Sequence, residues 1–394
     1  MNTLVRIAVV SDLHCHPFRN DSPSSFLTSD GLRRPSGKHP VESLAKLVQE
    51  ENLRTNLVLC PGDITDQVNI QGLHSGWEYL KEIKELLGAS DLLTTLGNHD
   101  VDSRHLHDPD PFQLAKGIRP REFPLGADSS RDTFWGRGFC LYETNHCHVL
   151  ILNSVAGHFS NEQAKRGSLS MPLLEDLKRH LSECQLSVPK IAMVHHHPLP
   201  HEQLGLGTQD LMENGEILLE ILEDFGFSLV IHGHKHHPRI RYSPASSSGP
   251  TVFAAGSFSA MSAQLLSSTR NLFHIIELYD EVPGCLFPGT IRSWEFNYTR
   301  GWTDPSPKSA DFPATAGFGY RASPQELASR IGKFVGDCTD RVVPWEEVAR
   351  VFPAGEFLLP RDLEKLGRQL KDDYSVELWP HPPDRPEQAI RMRR

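Results

Sequence analysis

Five stretches of this chain end an apolar run in aspartate, asparagine or histidine. Ile7-Ala8-Val9-Val10 leads into Ser11-Asp12-Leu13-His14, and Leu57-Val58-Leu59-Cys60 into Pro61-Gly62-Asp63. Leu92-Leu93-Thr94-Thr95-Leu96 leads into Gly97-Asn98-His99-Asp100. Residues 191–194 run into His195-His196-His197-Pro198, and residues 229–231 into His232-Gly233-His234-Lys235-His236. Short apolar runs of this kind read as buried strands. The polar residues then stand at strand ends, the edge at which open α/β sheets hold their ligands. Imidazole nitrogen with carboxylate or amide oxygen suits Zn, Mn, Fe and similar divalent ions, and no cysteine lies among the polar ends. Seven candidate ligands (Asp12, His14, Asp63, Asn98, His195, His234 and His236) are too many for one tetrahedral site. They fit two ions about 3.5–4 Å apart sharing one carboxylate, as in phosphoryl-transfer sites. Two carboxylates against two dications leave such a pocket cationic. It would attract phosphate.

In this order, Asp-x-His, Gly-Asp, Gly-Asn-His-Asp, His-His-His-Pro and Gly-His-x-His resemble the calcineurin-like metallophosphoesterase superfamily over roughly residues 5–297. The resemblance implies an α/β fold, a four-layer α-β-β-α sandwich of two mixed sheets flanked by helices. It implies two divalent metal ions per chain, with Mn, Fe and Zn all open. Asp12, His14 and His236 would hold the first ion, Asn98, His195 and His234 the second, and Asp63 would bridge them. His99 would protonate the leaving oxygen or stabilise its charge, and Asp100 would orient His99. Among the three consecutive histidines His195 matches the ligand position best, with His196 as the alternative.

The implied activity is hydrolysis of a phosphodiester, a cyclic nucleotide or another small diester, by attack of a metal-bridged hydroxide. Residues 195–200 with Gly-His-x-His are similar to the cyclic-nucleotide phosphodiesterase branch. A metal-dependent nuclease or phosphomonoesterase is the alternative. Some members of the superfamily are metal-poor scaffolds, but those lose ligand histidines that this chain keeps. No serine or cysteine elbow and no phosphate-cradling P-loop points to covalent or NTPase chemistry.

The elements that must position these residues can be read around them. Apolar periodicity predicts helices over 41–53, 77–87, 169–181 and 217–225, and strands over 140–154, 251–259, 272–278 and 291–296. Residues 17–40 are rich in Ser, Pro, Gly and Asp and read as a long loop overhanging the metals, with Arg33 and Arg34 as phosphate contacts or a solvated tip. Asp66 reads as a brace of the loop after Asp63, and 102–137 as a polar loop in which His105 and His107 are ordinary loop residues.

Composition divides the chain into a catalytic domain over 1–300, a linker over 301–319 and a small, mainly helical module over 320–394. Ser323, Pro324 and Glu326 form a capping box for the module's first helix. Helices after Pro344 and over 361–370, then a strand over 374–379, make the module winged-helix-like or a helical cap. It could carry a protein partner, an oligomer contact or nucleic acid. The formal net charge of −10 argues against a broad grip on nucleic acid. Seven irregularly spaced cysteines form no disulfide framework, and no apolar run approaches the ~20 residues of a membrane span. The expectation is a cytoplasmic protein without a membrane segment.

Overall fold

The computed structural model describes residues 1–17, 23–29, 38–103, 110–120, 122–158, 160–184, 189–200, 211–244, 248–261, 270–305 and 312–392. Arg33, Arg34, His105 and His107 lie outside the described residues. The chain forms two compact units. One comprises Arg6–Ile275 with Trp294–Thr303, the other Met1–Val5, Ile276–Ser293 and Asp304–Arg394.

The first half of the larger unit is a β-α-β-α-β run. Strand β1 (Thr3–Val9) is followed by α1 (Pro40–Glu51), β2 (Leu57–Cys60), α2 (Ile70–Leu87) and β3 (Asp91–Thr94). Pro40 occupies the first turn of α1 and Asn69 caps α2 by accepting from the Gly72 amide at 2.8 Å. The three strands are parallel, with Ile7 opposite Leu57 and Leu57 opposite Asp91. Apart from Leu4 near the start of β1, their apolar residues are buried on both faces, as parallel strands require.

Next come α3 (Gln113–Lys116), α4 (Asp128–Arg137), β4 (Phe139–Glu143), β5 (His148–Leu152), α5 (Asn161–Arg166), α6 (Met171–Glu183), β6 (Lys190–Met193), α7 (Gly215–Asp224), β7 (Leu229–His232), β8 (Arg239–Tyr242) and β9 (Thr251–Ala254). They build a six-stranded sheet in the order β4-β5-β6-β7-β9-β8, parallel from β5 to β9 and antiparallel at both edges. Alternation sends Leu150, Leu152, Ala192, Val194 and Val230 into one cluster with Leu174, Leu177 and Leu181 of α6 and Leu218 and Leu222 of α7. Those two helices flank that face of the sheet.

The other sheet is completed by β10 (Leu272–Tyr279), β11 (Cys285–Asn297), β12 (Gly301–Thr303) and β13 (Thr315–Tyr320), in the order β12-β11-β10-β1-β2-β3 with β13 on β11. The fold is therefore two large mixed sheets flanked by helices.

Two stretches depart from the sequence reading. Residues 301–319, expected as a linker, contribute β12 and most of β13. Trp302 explains the first: it is buried against Phe258, Phe273 and Phe296, and its indole N–H donates to the Pro40 carbonyl at 2.8 Å. Within the expected loop 102–137, α3 and α4 form. Helix α4 has no apolar stripe to announce it, since only Arg131 and Phe134 are buried.

The smaller unit ends in α8 (Pro324–Asp337), β14 (Val342–Pro344), α9 (Trp345–Val351), a 3-10 turn (Pro353–Phe357), α10 (Pro360–Tyr374), β15 (Val376–Trp379) and β16 (Gln388–Arg391). These three strands are antiparallel in the order β14-β16-β15. Leu327, Ile331 and Val335 of α8 and Leu363, Leu366 and Leu370 of α10 share its core with Trp345 and Val376. Ser323 caps α8 through the Gln325 amide at 3.2 Å, one position earlier than a capping box places it.

His274 in β10 gives the larger unit a pH dependence of its own. Its ring is buried edge-on to Phe253, and Nε2–H donates to the Ala255 carbonyl at 2.7 Å. Burial pulls its pKa from 6.5 to about 4. The fold accepts only the neutral ring, so its contribution is complete above pH 6.5 and is lost as the pH falls towards 4. His274→Gln keeps a donor without titrating. In urea unfolding it should remove up to about 3 kcal/mol of the stability lost between pH 7 and 4. An unchanged slope would refute the assignment.

Candidate metal centre

All five strand ends meet at one place, and the backbone turns sharply to bring them there. Asp12, His14, Asp63, His234 and His236 all lie in the left-handed region, with φ of 52°, 47°, 53°, 83° and 54°. Each such residue other than glycine costs roughly 1 kcal/mol, and short polar side chains tolerate it best. The turns brace one another. His14 N–H donates to the Asp63 carbonyl at 3.0 Å, Asp12 N–H to Gly62 at 3.2 Å and Cys15 N–H to Ile64 at 2.9 Å. Gly97 and Gly233 let the chain pass close: a Cβ at Gly97 would lie 2.1 Å from Asp63 Oδ1, and one at Gly233 2.3 Å from Asp12 Oδ2.

The donor atoms fall into two groups that share one carboxylate. In the first, His14 Nε2 and His236 Nε2 are 2.8 Å apart, and Asp12 Oδ1 is 4.0 Å and 3.6 Å from them. In the second, His195 Nε2 lies 3.3 Å from Asn98 Oδ1, with the His234 ring 5.1 Å from the His195 ring. Asp63 Oδ2 stands between, 3.7 Å from His14 Nε2 and 3.3 Å from His195 Nε2. Asp12, Asp63 and His195 are fully buried.

This arrangement fits a pair of divalent ions. His195 Nδ1–H donates to the Pro61 carbonyl at 2.8 Å, and His234 Nε2–H to the Lys165 carbonyl at 2.8 Å. Those bonds engage the outer ring nitrogens, so His195 Nε2 and His234 Nδ1 are the atoms left to face an ion, the outer-shell pattern of metal-binding histidines. Asp63 Oδ2 and His234 Nδ1 are buried polar atoms without a hydrogen-bond partner among the described residues. The thiols nearest in sequence do not compete. Burial pushes Cys15 up to about 12 and Cys60 well above its ordinary value, so both stay protonated.

Charges inside the cluster couple strongly. Burial pushes Asp63 up, but the imidazoles of His195, His99 and His14 together hold it well below the usual carboxylate range. Burial would likewise keep His195 neutral; the Asp63 carboxylate more than offsets this and lifts it to about 9. Asp12 is raised to about 6, chiefly by burial.

His195, His196 and His234 lie close enough to share an ion, but His195 and His196 differ in their partners. The second has both ring nitrogens engaged, at 2.8 Å to Ser154 Oγ and 3.3 Å to the Ala164 carbonyl, and its ring packs 4.5 Å from that of His234. His197 packs against His232 at 4.5 Å, and His16 faces the backbone carbonyls of Pro17 and Ser25.

Asp100 departs from its expected role. Its Oδ1 accepts from the amides of Ile64 at 2.7 Å and Thr65 at 3.0 Å, and Oδ2 from Gly97 at 2.9 Å. It pins the Gly97–Asp100 turn to the loop after Asp63. The carboxylate beside His99 is that of Asp66, with Oδ1 3.1 Å from His99 Nδ1. The family resemblance implies Asp100 for that place, but on this tight turn its side chain points to the three amides instead. The spacing Asp63-x-x-Asp66 was the available signal. Burial lowers the affinity of His99 for its proton, yet Asp63 and Asp66 outweigh it and raise its pKa.

A profile of calcineurin-like phosphoesterases matches residues 5–238. Among solved structures, a purple acid phosphatase from yellow lupin seeds is 12% identical with a TM-score of 0.46, over 74% of this chain and 51% of that one. A putative 5'-nucleotidase from Staphylococcus aureus is 15% identical with a TM-score of 0.38, over 70% and 51%. A third, described as the anchor in the inner membrane complex of Plasmodium, is 13% identical with a TM-score of 0.40, over 78% and 91%. This chain spans about half the length of the first two. No curated protein matches it.

Proposed function

Because the chain belongs to the calcineurin-like phosphoesterase family, we propose that it is a two-metal phosphoesterase acting on a small phosphodiester of the cyclic-nucleotide type. One observation carries the reading: the buried Asp63 Oδ2 stands between two groups of inward-facing nitrogen and oxygen donors. Asp12, His14 and His236 would hold one ion, Asn98, His195 and His234 the other, and Asp63 both. Mn, Fe and Zn all suit this donor set. Bound there, the ions supply Lewis acidity at the phosphoryl group and acidify the attacking water.

The chain's own residues do the rest. Pro61 and Lys165 carbonyls hold the outer ring nitrogens of His195 and His234, so the substrate meets a preorganised site. His99, with Nδ1 tied to Asp66, has Nε2 to offer the departing oxygen, and its raised pKa keeps a proton there to give. Diester preference is supported by the likeness of residues 195–200 and Gly233–His236 to the cyclic-nucleotide branch.

Nucleic-acid hydrolysis is the second reading, favoured by one feature. The helix-strand-helix-helix-strand-strand order from α8 to β16 is winged-helix-like, a common way to address nucleic acid or a protein partner. Its 13 Lys and Arg are balanced by 13 Asp and Glu over residues 320–394, which weighs against a polyanion. A protein partner or a second copy suits that balance better.

Elemental analysis beside hydrolysis of bis-p-nitrophenyl phosphate and p-nitrophenyl phosphate, with Mn added and withheld, tests the reading. Two ions per chain and Mn-dependent cleavage favouring the diester are expected. Preference for the monoester would make it a phosphomonoesterase. A metal-free protein inactive on both esters with Mn restored would make it a scaffold.

A further inference from the structure

We propose that Ser24 is a positioning residue for His99, acting through Asp66; this rests on the reading of His99 as the group that serves the leaving oxygen. Ser24 belongs to none of the metal-ligand motifs. It lies in the long connection between β1 and α1, yet it is buried and its Oγ–H donates to Asp66 Oδ2 at 2.8 Å. The other oxygen of the same carboxylate faces two imidazoles, 3.1 Å from His99 Nδ1 and 3.8 Å from His14 Nδ1.

A carboxylate rotates readily about its last torsion. Held at one oxygen only, Asp66 could swing between the two rings or turn away from both. The Ser24 hydroxyl fixes Oδ2 and thereby aims Oδ1. His99 Nδ1–H then donates to that oxygen, which leaves Nε2 as the ring's other nitrogen on a side chain that is 31% exposed. The Gln67 amide also approaches His99 Nδ1, at 3.2 Å. One nitrogen cannot accept from Gln67 while donating to Asp66, and the shorter, charged partner decides the tautomer.

Ser24 is itself held rigidly. The Met261 amide donates to its carbonyl at 2.8 Å, and the Phe26 amide donates to Ser259 at 2.8 Å, so the segment forms a rung against residues 259–261. Ser25, pointing the other way, donates to the Leu13 carbonyl at 2.6 Å. His16 clamps the same segment, with Nε2 3.1 Å from the Ser25 carbonyl. A single hydroxyl on a braced segment, meeting a buried carboxylate that orients a partly exposed histidine, makes a three-member chain from loop to reacting group.

The test compares Ser24→Ala and Ser24→Thr in the full chain by two readouts. The first is a spectrum of the histidine side-chain nitrogens, in which the His99 signals are identified by their loss in His99→Gln. The second is kcat and KM on aryl phosphodiesters with leaving groups from p-nitrophenol to phenol. Ser24→Ala should move the His99 signals and lower kcat on the phenyl ester about tenfold, with KM, metal content and the p-nitrophenyl rate nearly unchanged. Ser24→Thr, which keeps the hydroxyl, should restore both. Unmoved His99 signals in a folded Ser24→Ala protein would overturn the proposal. So would equal losses in both variants across all leaving groups, which mark a merely structural residue. The spectrum reads the hydrogen-bond chain whether or not any ester is cleaved. Failure of the phosphoesterase reading would therefore show as an inactive wild type whose His99 signals still respond to Ser24→Ala.

Discussion

Asp63→Asn is expected to lower kcat/KM on a phosphodiester by about 10³-fold or more, roughly the 4 kcal/mol that a central electrostatic group supplies. The reason is positional. Oδ2 of Asp63 is the atom shared by the two donor groups, and Oδ1 accepts the His99 amide at 2.8 Å. Asparagine keeps an acceptor for that amide but replaces the oxygen shared by the two donor groups with a neutral amide nitrogen, which donates hydrogen bonds and binds no cation. Elemental analysis should show the metal content falling from two ions per chain to one or none. A variant that keeps both ions and a near-normal rate would sink the two-metal reading.

His99→Gln should behave in the opposite way on metal and in the same direction on rate. A positioned general acid contributes 10²–10⁴-fold, and kcat on an ester with a poor leaving group should fall by about that factor. Both ions should remain. Nδ1 of His99 is directed at Asp66, outside the two groups that share Asp63, so no ligand is removed. His14, Asp66 and His99 do form a tight cluster of their own, with ligand atoms within 4.8 Å of one another. Loss of an ion from His99→Gln would therefore place His99 among the ligands and retire it as an acid.

Much of this centre was legible because each motif joins two signals of different kinds. An apolar run marks a strand, and the polar residue that ends it marks the edge of a sheet. Asp12, Asp63, Asn98, His195, His234 and His236 all follow that rule, and the structure brings them together with His14. Where only one signal existed, the reading stayed open or went astray. Three histidines in a row carry no periodicity to choose among them; the choice needed Ser154 and Ala164, remote in sequence, to engage His196. Asp100 was paired with His99 by the family resemblance, whereas its carboxylate is claimed by the amides of Ile64 and Thr65 in the loop after Asp63 and by that of Gly97 in its own turn. Helix α4 is held by Phe134 and Arg131 rather than by a stripe, so no period announced it. Short β12, with Trp302 as its one large apolar residue, was hidden among prolines and glycines. Ser24 offered no chemical signal at all, being one serine in a polar loop.

The left-handed turns at Asp12, His14, Asp63, His234 and His236 bear on how variants of this protein should be made. Alanine scanning assumes that truncation leaves the backbone as it was. At these five positions it does not, because alanine has no local hydrogen bond to ease a positive φ and inherits the strain without the side chain that justified it. An alanine variant would mix a lost ligand with a relaxed turn, and its phenotype could be assigned to neither. Asparagine accepts the same backbone at either aspartate, removing the charge and turning one acceptor oxygen into a donor, while glycine accepts it anywhere and removes only the side chain. The clean perturbations of this site are thus an asparagine series at the carboxylates and a glycine series at the imidazoles.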